Sequence, residues 1–172
     1  EIGMQYIAIP YLMEEDRPGT DKFLENIEIF KKIGEACNKV GITLLYHNHD
    51  FEFVPLSDGT LGYDYLFSSN DRANLQNEID VCWVSYSGQD PVEYVTKYAG
   101  NIPVVHLKDY KLEGKLSSAP YALIGISTDN SMKDEGGWFE YRPLGEGQVD
   151  IPGVIKAAID GKAQWLCVEQ DE

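Results

Sequence analysis

Residues 46–53 read YHNHDFEF, directly behind the apolar run ITLL. Side chains alternate faces along a strand, so Tyr46, Asn48 and Asp50 point one way while His47 and His49 point the other. Two imidazoles on one face at the end of a buried strand mean either a polar site or a badly packed core. Three further apolar runs carry polar residues at corresponding places: Glu78 and Asp80, His106 and Lys108, Glu169 and Asp171. In parallel α/β folds the carboxyl ends of the strands form the ligand site. His47, Asp80, His106 and Glu169, arriving from four successive strands, therefore suit a shell for a divalent metal ion. No single pair is diagnostic; the recurrence carries the reading. On the plainer reading a strand histidine is a hydrogen-bonded structural residue, Glu78 is a salt-bridge partner or backs the ligands from behind, Asp109 and Glu172 are loop solubilisers, and Trp83 is packing.

The elements that must position these residues follow from the apolar pattern. MQYIAIPY, ITLLYHNH, NLQNEIDVCWV, PVVHLKDY and QWLCVEQ are near-continuous apolar runs, the signature of buried parallel strands. Between the first two lies DKFLENIEIFKKIGEACNKVG. Its Phe23, Ile27, Phe30, Ile33, Cys37 and Val40 recur at three- and four-residue steps, Thr20 or Asp21 can cap its start, and Gly41 supplies the stop. DPVEYVTKYAG repeats the signature with Asp90 as cap, Pro91 as first helical residue and Gly100 as stop. DIPGVIKAAIDG gives another helix, and GYDYLFSS a shorter one. Alternating β and α units predict a parallel sheet with right-handed crossovers. The stretch from Lys111 to Leu144, with its Gly, Ser and Asp clusters, reads as one extended loop or lid.

Composition narrows the function classes. The chain has 172 residues, 43% of them hydrophobic, enough for a single domain over residues 1–172 with a real core. A net charge of −15 argues against nucleic acid as a partner, because clustered Lys and Arg are needed to displace counterions from phosphates. Cys37, Cys82 and Cys167 are odd in number and sit in apolar or helical contexts, so they read as free thiols in a reducing cytoplasm. No window is long and apolar enough to span a bilayer, and the first residues lack the features of a signal peptide. A start without methionine and an end at WLCVEQDE suggest an excerpt of something longer.

Taken in order, GITLLYHNHDFEF, EIDVCWVSYSGQDPVEYV, IPVVHLKDY, LGEGQVDIPGVIKAA and VEQDE resemble the second half of the sugar phosphate isomerase/epimerase family. That family's fold is the xylose isomerase-like (β/α)8 TIM barrel, an α/β fold. The resemblance implies that the five strands are the fourth to eighth of the barrel, making the chain its C-terminal part. It also implies one divalent ion, Mn, Mg, Co or Zn, held by a Glu, an Asp, a His and a second Glu. Asp80, His106 and Glu169 match the last three, whereas the first Glu falls on His47. A His that many members carry three residues after the Asp is Trp83 here.

The implied activity is a metal-dependent isomerase or epimerase of a small sugar or sugar phosphate, acting by proton transfer through an enediolate. Glu169 is the candidate base, Lys108 a general acid or polarising group, and His49 the other candidate for proton transfer. An inosose dehydratase-like lyase needs the same base and metal, and a non-catalytic sugar-binding barrel is a further alternative. An AP-site endonuclease on this barrel would need a basic groove, which −15 opposes. GEG at 145–147 suits either backbone capture of a phosphate or a plain tight turn, and the anionic Glu146 favours the turn. An incomplete barrel would leave the MQYIAIPY and QWLCVEQ strands as unpaired edges able to recruit a second copy, so a homo-oligomer is expected.

Overall fold

The computed structural model describes residues 3–116, 120–121 and 136–171. Strand β1 (Tyr6–Ile9) leads through a short 3-10 turn into α1 (Asp21–Asn38). There the Thr20 side chain accepts a hydrogen bond from the Phe23 N–H, the cap the sequence offers. Phe23, Ile27 and Phe30 are buried as the periodicity predicts, but Ile33 and Val40 stay exposed. Gly41, at φ 74°, turns the chain into β2 (Thr43–His47). α2 (Gly62–Ser68) and β3 (Gln76–Asp80) follow. The order continues with α3 (Val81–Tyr86), α4 (Pro91–Lys97), β4 (Val104–Leu107), β5 (Asp109–Glu113), β6 (Trp138–Arg142), α5 (Ile151–Asp160) and β7 (Trp165–Val168).

Five strands form one parallel sheet in the order β1-β2-β3-β4-β7. Leu44, Tyr46, Ile79, Val105 and Leu107 face the helices and join the core cluster. The residues between them, including His47, Glu78, Asp80 and His106, therefore emerge on the other face. The pairing register places His47 level with Glu78 and Asp80 level with His106. β1 and β7 are the edges of this sheet, with Ile7, Trp165 and Val168 exposed along them.

Three expectations need correction. NLQNEIDVCWV is not one strand: β3 stops at Asp80, whose carboxylate accepts hydrogen bonds from the Cys82 and Trp83 N–H groups and starts α3 without a loop. The β2 strand stops at His47, so His49 stands beyond it. The stretch from Lys111 to Leu144 is not a plain loop, because β5 and β6 pair antiparallel across it, with Tyr110 stacked on Phe139 at 5.1 Å. Residues 117–119 and 122–135 of that stretch lie outside the described residues.

Gly34, inside α1, shows how closely the helix meets the rest. A Cβ there would lie 2.1 Å from the Asn74 carbonyl oxygen. Replacing a helical glycine by alanine ordinarily gains up to about 1 kcal/mol, but a backbone collision costs about 1–3 kcal/mol. Gly34→Ala is therefore expected to lower stability in urea unfolding, and a stabilised variant would refute this contact.

Candidate metal and proton-transfer site

At the carboxyl ends of β2, β3, β4 and β7 the polar side chains meet. The His106 Nδ1 lies 2.6 Å from Glu169 Oε2, and its Nε2 lies 3.0 Å from Glu78 Oε1. The same Glu78 oxygen is 3.3 Å from His47 Nδ1. His47 Nε2 in turn faces Asp80 Oδ2 at 3.9 Å. Lys108, fully buried between β4 and β5, donates to Glu169 Oε1 at 2.9 Å and also pairs with Asp171. Its ammonium sits 4.6 Å from the centre of the Tyr141 ring, a cation–π contact.

The structure thus brings His47, Asp80, His106, Glu169 and Lys108 into one cluster. His49 stands beside it, with its ring 5.4 Å from that of His47. It is nearly fully buried, edge-on to Tyr11, stacked on Phe51 and against Trp83. Its Nδ1 has no hydrogen-bond partner among the described residues.

Electrostatics sorts these groups. Burial alone would raise the pKa of Glu78, but hydrogen bonds from His106 and His47 outweigh it and hold the carboxyl at about 2. Glu169 is held at about 2 chiefly by the His106 hydrogen bond, against burial and with help from Lys108. For His106 burial opposes charge, yet hydrogen bonds to Glu169 and Glu78 raise it to about 10. Burial, followed by the charges of His47 and Lys108, lowers His49 to about 3, so its imidazole is neutral. The buried Asp80 is pushed up by desolvation. Lys108 is raised despite burial, first by the charge of Asp80 and then by its hydrogen bonds to Asp171 and Glu169.

The donor set suits a divalent cation. Asp80, His106 and Glu169 each offer one atom within 4.8 Å of the others, and so do His47, Glu78 and His106. Asp80 Oδ1 is used in capping α3, while Oδ2 is buried without a hydrogen-bond partner among the described residues. An orphaned buried carboxylate oxygen is costly unless a cation satisfies it. Mixed carboxylate and imidazole donors fit Mn, Mg, Co or Zn.

Several polar residues have roles that the sequence reading did not assign. For Glu78, read from the sequence as a salt-bridge partner or a residue backing the ligands, the added detail is that one of its oxygens meets two imidazoles. Asp109 is not a loop solubiliser: it is buried, and its carboxylate accepts from the N–H groups of Gly145, Gly147 and Val149 at 3.0 Å each. Of the backbone donors that GEG might have offered a phosphate, those of Gly145 and Gly147 are thus engaged by Asp109 and that of Glu146 by the Pro143 carbonyl. Glu52, fully buried, accepts from the Tyr46 hydroxyl at 2.7 Å and the His49 N–H at 2.9 Å, which pins the turn after β2. Burial raises its pKa to about 8. Glu172 lies outside the described residues.

These shifts set a pH profile for the metal-free protein. Glu78 and Glu169 have folded pKa values of about 2, below the ordinary 4.5, so their stabilisation is present above 4.5 and lost as pH falls towards 2. His49, lowered from 6.5 to about 3, also costs stability as pH falls below 6.5. His106, raised from 6.5 to about 10, stabilises below 6.5 and loses that contribution as pH rises through 10. Glu52, raised from 4.5 to about 8, acts in the same direction between those values and offsets His49 up to 6.5. The thermal midpoint of chelator-treated protein should therefore peak between about 4.5 and 6.5. A midpoint still rising from pH 7 to 9 would contradict the His106 assignment.

Comparison with known proteins identifies the family and the fold. The family model described as xylose isomerase-like TIM barrel matches residues 1–172. An inosose dehydratase of Clostridium beijerinckii is 26% identical over 162 residues, covering 88% of this chain and 50% of the relative. One from Clostridium perfringens strain 13 is 30% identical over the same shares. The chain spans about half the length of these curated relatives. Among solved structures, a sugar phosphate isomerase/epimerase from Parabacteroides distasonis superposes with a TM-score of 0.73 at 23% identity, over 99% of this chain and 51% of that one. A "probable 3-DHS dehydratase" from Bacillus anthracis gives a TM-score of 0.61 at 20% identity, over 96% and 57%. At these identities the structural matches speak to the fold: a parallel half of the barrel. No helix of the described residues is long and apolar enough to cross a membrane.

Proposed function

The chain belongs to the xylose isomerase-like TIM barrel family, and from that premise we propose that it serves a metal-dependent enzyme that removes a proton from a carbon beside a carbonyl of a small sugar or cyclic polyol. The observation that carries this reading is the convergence of Asp80, His106 and Glu169, with Lys108 2.9 Å from Glu169. Asp80, His106 and Glu169 would hold the ion, which when bound polarises a substrate oxygen and stabilises negative charge next to it. Glu169 takes the carbon-bound proton. Lys108, held charged by its carboxylate neighbours, gives a proton to the departing or accepting oxygen. The two groups are in contact, so the proton can return from Glu169 to Lys108 between turnovers.

Two outcomes share this first step, and we favour loss of water. The curated relatives named inosose dehydratase support this choice, and so does the site itself. The epimerases that the sequence resembles oppose two ligand glutamates, and His47 occupies the position of one of them. With the GEG donors engaged by Asp109 and the Pro143 carbonyl, an unphosphorylated substrate is expected. The isomerase or epimerase reading keeps one specific support: His49 is a neutral imidazole with an unpartnered Nδ1 beside the cluster, suited to returning a proton from another side.

One experiment separates these readings. Elemental analysis establishes bound metal, and the reaction is then followed by NMR and mass spectrometry in deuterium oxide with inosose and with free sugars. A product lighter by one water supports the lyase. A product of unchanged skeleton carrying deuterium at carbon supports the isomerase or epimerase. Sugar binding without metal, exchange or turnover would leave a non-catalytic binding barrel.

A further inference from the structure

We infer that Glu78 is the positioning residue of the metal site, a single carboxylate oxygen that fixes which nitrogen of both His47 and His106 is free to face the ion. The inference rests on the reading of Asp80, His106 and Glu169 as ion ligands. Its basis is geometric. Glu78 and Asp80 are two residues apart on β3, so both side chains emerge on the same face, Glu78 one step deeper. From that depth Glu78 Oε1 meets His106 Nε2 at 3.0 Å and His47 Nδ1 at 3.3 Å.

A neutral imidazole has one N–H and one bare nitrogen, and only the bare nitrogen ligates a metal. In the metal-free protein His106 meets Glu169 as well as Glu78. Once an ion takes the place of the Nδ1 proton, the N–H kept on Glu78 leaves Nδ1 of His106 as the free nitrogen on the side of Glu169, and an N–H given by His47 leaves its Nε2 free on the side of Asp80. His106 belongs with Asp80 and Glu169 to one possible donor group, and His47 Nε2 faces, at 3.9 Å, the Asp80 Oδ2 that has no hydrogen-bond partner among the described residues. Removing the acceptor would allow either ring to take the other tautomer and turn a proton towards the ion.

Glu78 also belongs to the second possible donor group, with His47 and His106. Its Oε1, however, already meets two ring nitrogens, whereas Asp80 Oδ2 meets no hydrogen-bond donor among the described residues. A cation relieves more on the Asp80 side.

The test is cobalt(II) binding, by calorimetry and visible absorption, to the parent, Glu78→Gln and Glu78→Ala. Outer carboxylates of this kind typically govern metal affinity by about 10–100-fold. Glu78→Ala should weaken cobalt binding within that range with an unchanged d–d spectrum, because the ligands are the same. Glu78→Gln, which keeps an acceptor oxygen and the side-chain shape, should fall between the two. A changed d–d spectrum in both variants would make Glu78 a direct ligand and overturn the inference. Parent-like affinity in Glu78→Ala would overturn it while leaving the proposed function standing. A parent that binds no cobalt would sink both. A second measurement is independent of the variants: long-range proton–nitrogen correlation of the zinc-loaded parent should show protonated Nε2 for His106 and protonated Nδ1 for His47, and the reverse pattern at either ring would refute the assignment.

Discussion

Glu169→Gln is expected to lower kcat by about 10²–10⁴-fold, the usual contribution of a positioned base, and to leave the fold intact. Glutamine keeps the shape and one oxygen of the side chain but cannot take up a proton. In the parent, Oε2 faces His106 Nδ1 at 2.6 Å and Oε1 accepts from Lys108 at 2.9 Å. In the metal-free protein both neighbours are donors, so the new amide N–H₂ group must face one of them and breaks one contact. The residue lies just past the last strand, and its side chain is partly exposed, so the break does not reach the core. Activity is measured at saturating metal, together with exchange of the substrate's carbon-bound proton with solvent deuterium. Exchange at the parent rate would reduce Glu169 to a ligand. Lys108, raised above its ordinary range by its carboxylate neighbours, is then a poor replacement as base, and neutral His49 becomes the group to test.

Asp80→Asn should weaken metal binding by well over 10-fold without unfolding the protein. Asp80 has two separable roles because its oxygens have different partners. Oδ1 accepts from the Cys82 and Trp83 N–H groups and starts α3, whereas Oδ2 points unpartnered towards the cluster. Asparagine can keep the cap with its carbonyl oxygen while turning an N–H₂ group, which cannot ligate, towards the ion. The comparison is with Asp80→Ala, which loses the cap as well and should cost a further 0.5–2 kcal/mol or so of stability. Calorimetric metal titration reads the first effect, and urea unfolding of the metal-free forms reads the second. If Asp80→Asn binds metal like the parent, the ion is held elsewhere, and the His47, Glu78 and His106 group is the remaining candidate.

Much of the fold was legible because its signals are local. The Thr20 cap and the Asp90 cap act on N–H groups two or three residues away, and Gly41 and Gly100 take the positive φ that ends their segments. The gathering of His47, Asp80, His106 and Glu169 was legible for a topological reason. When every strand in a sheet runs the same way, residues late in each strand share one end. Short-range context also misled. DVCWV is as apolar as the strand before it, and only the seated carboxylate of Asp80 shows that the chain has changed from strand to helix.

What the sequence determined by itself was the order of elements, the end of the sheet at which chemistry is possible, and the residue types available there. Only the tertiary structure decided which of those residues touch. Glu78 reaches two imidazoles because the strand register sets His47 beside it and His106 one step beyond. Asp109 is buried because its N–H partners arrive 36 to 40 residues later in the chain. His49 is neutral because aromatic rings from distant segments enclose it. A period of two along a strand states which face a side chain takes, but not which neighbour stands opposite, and hydrogen bonds and charge depend on the neighbour.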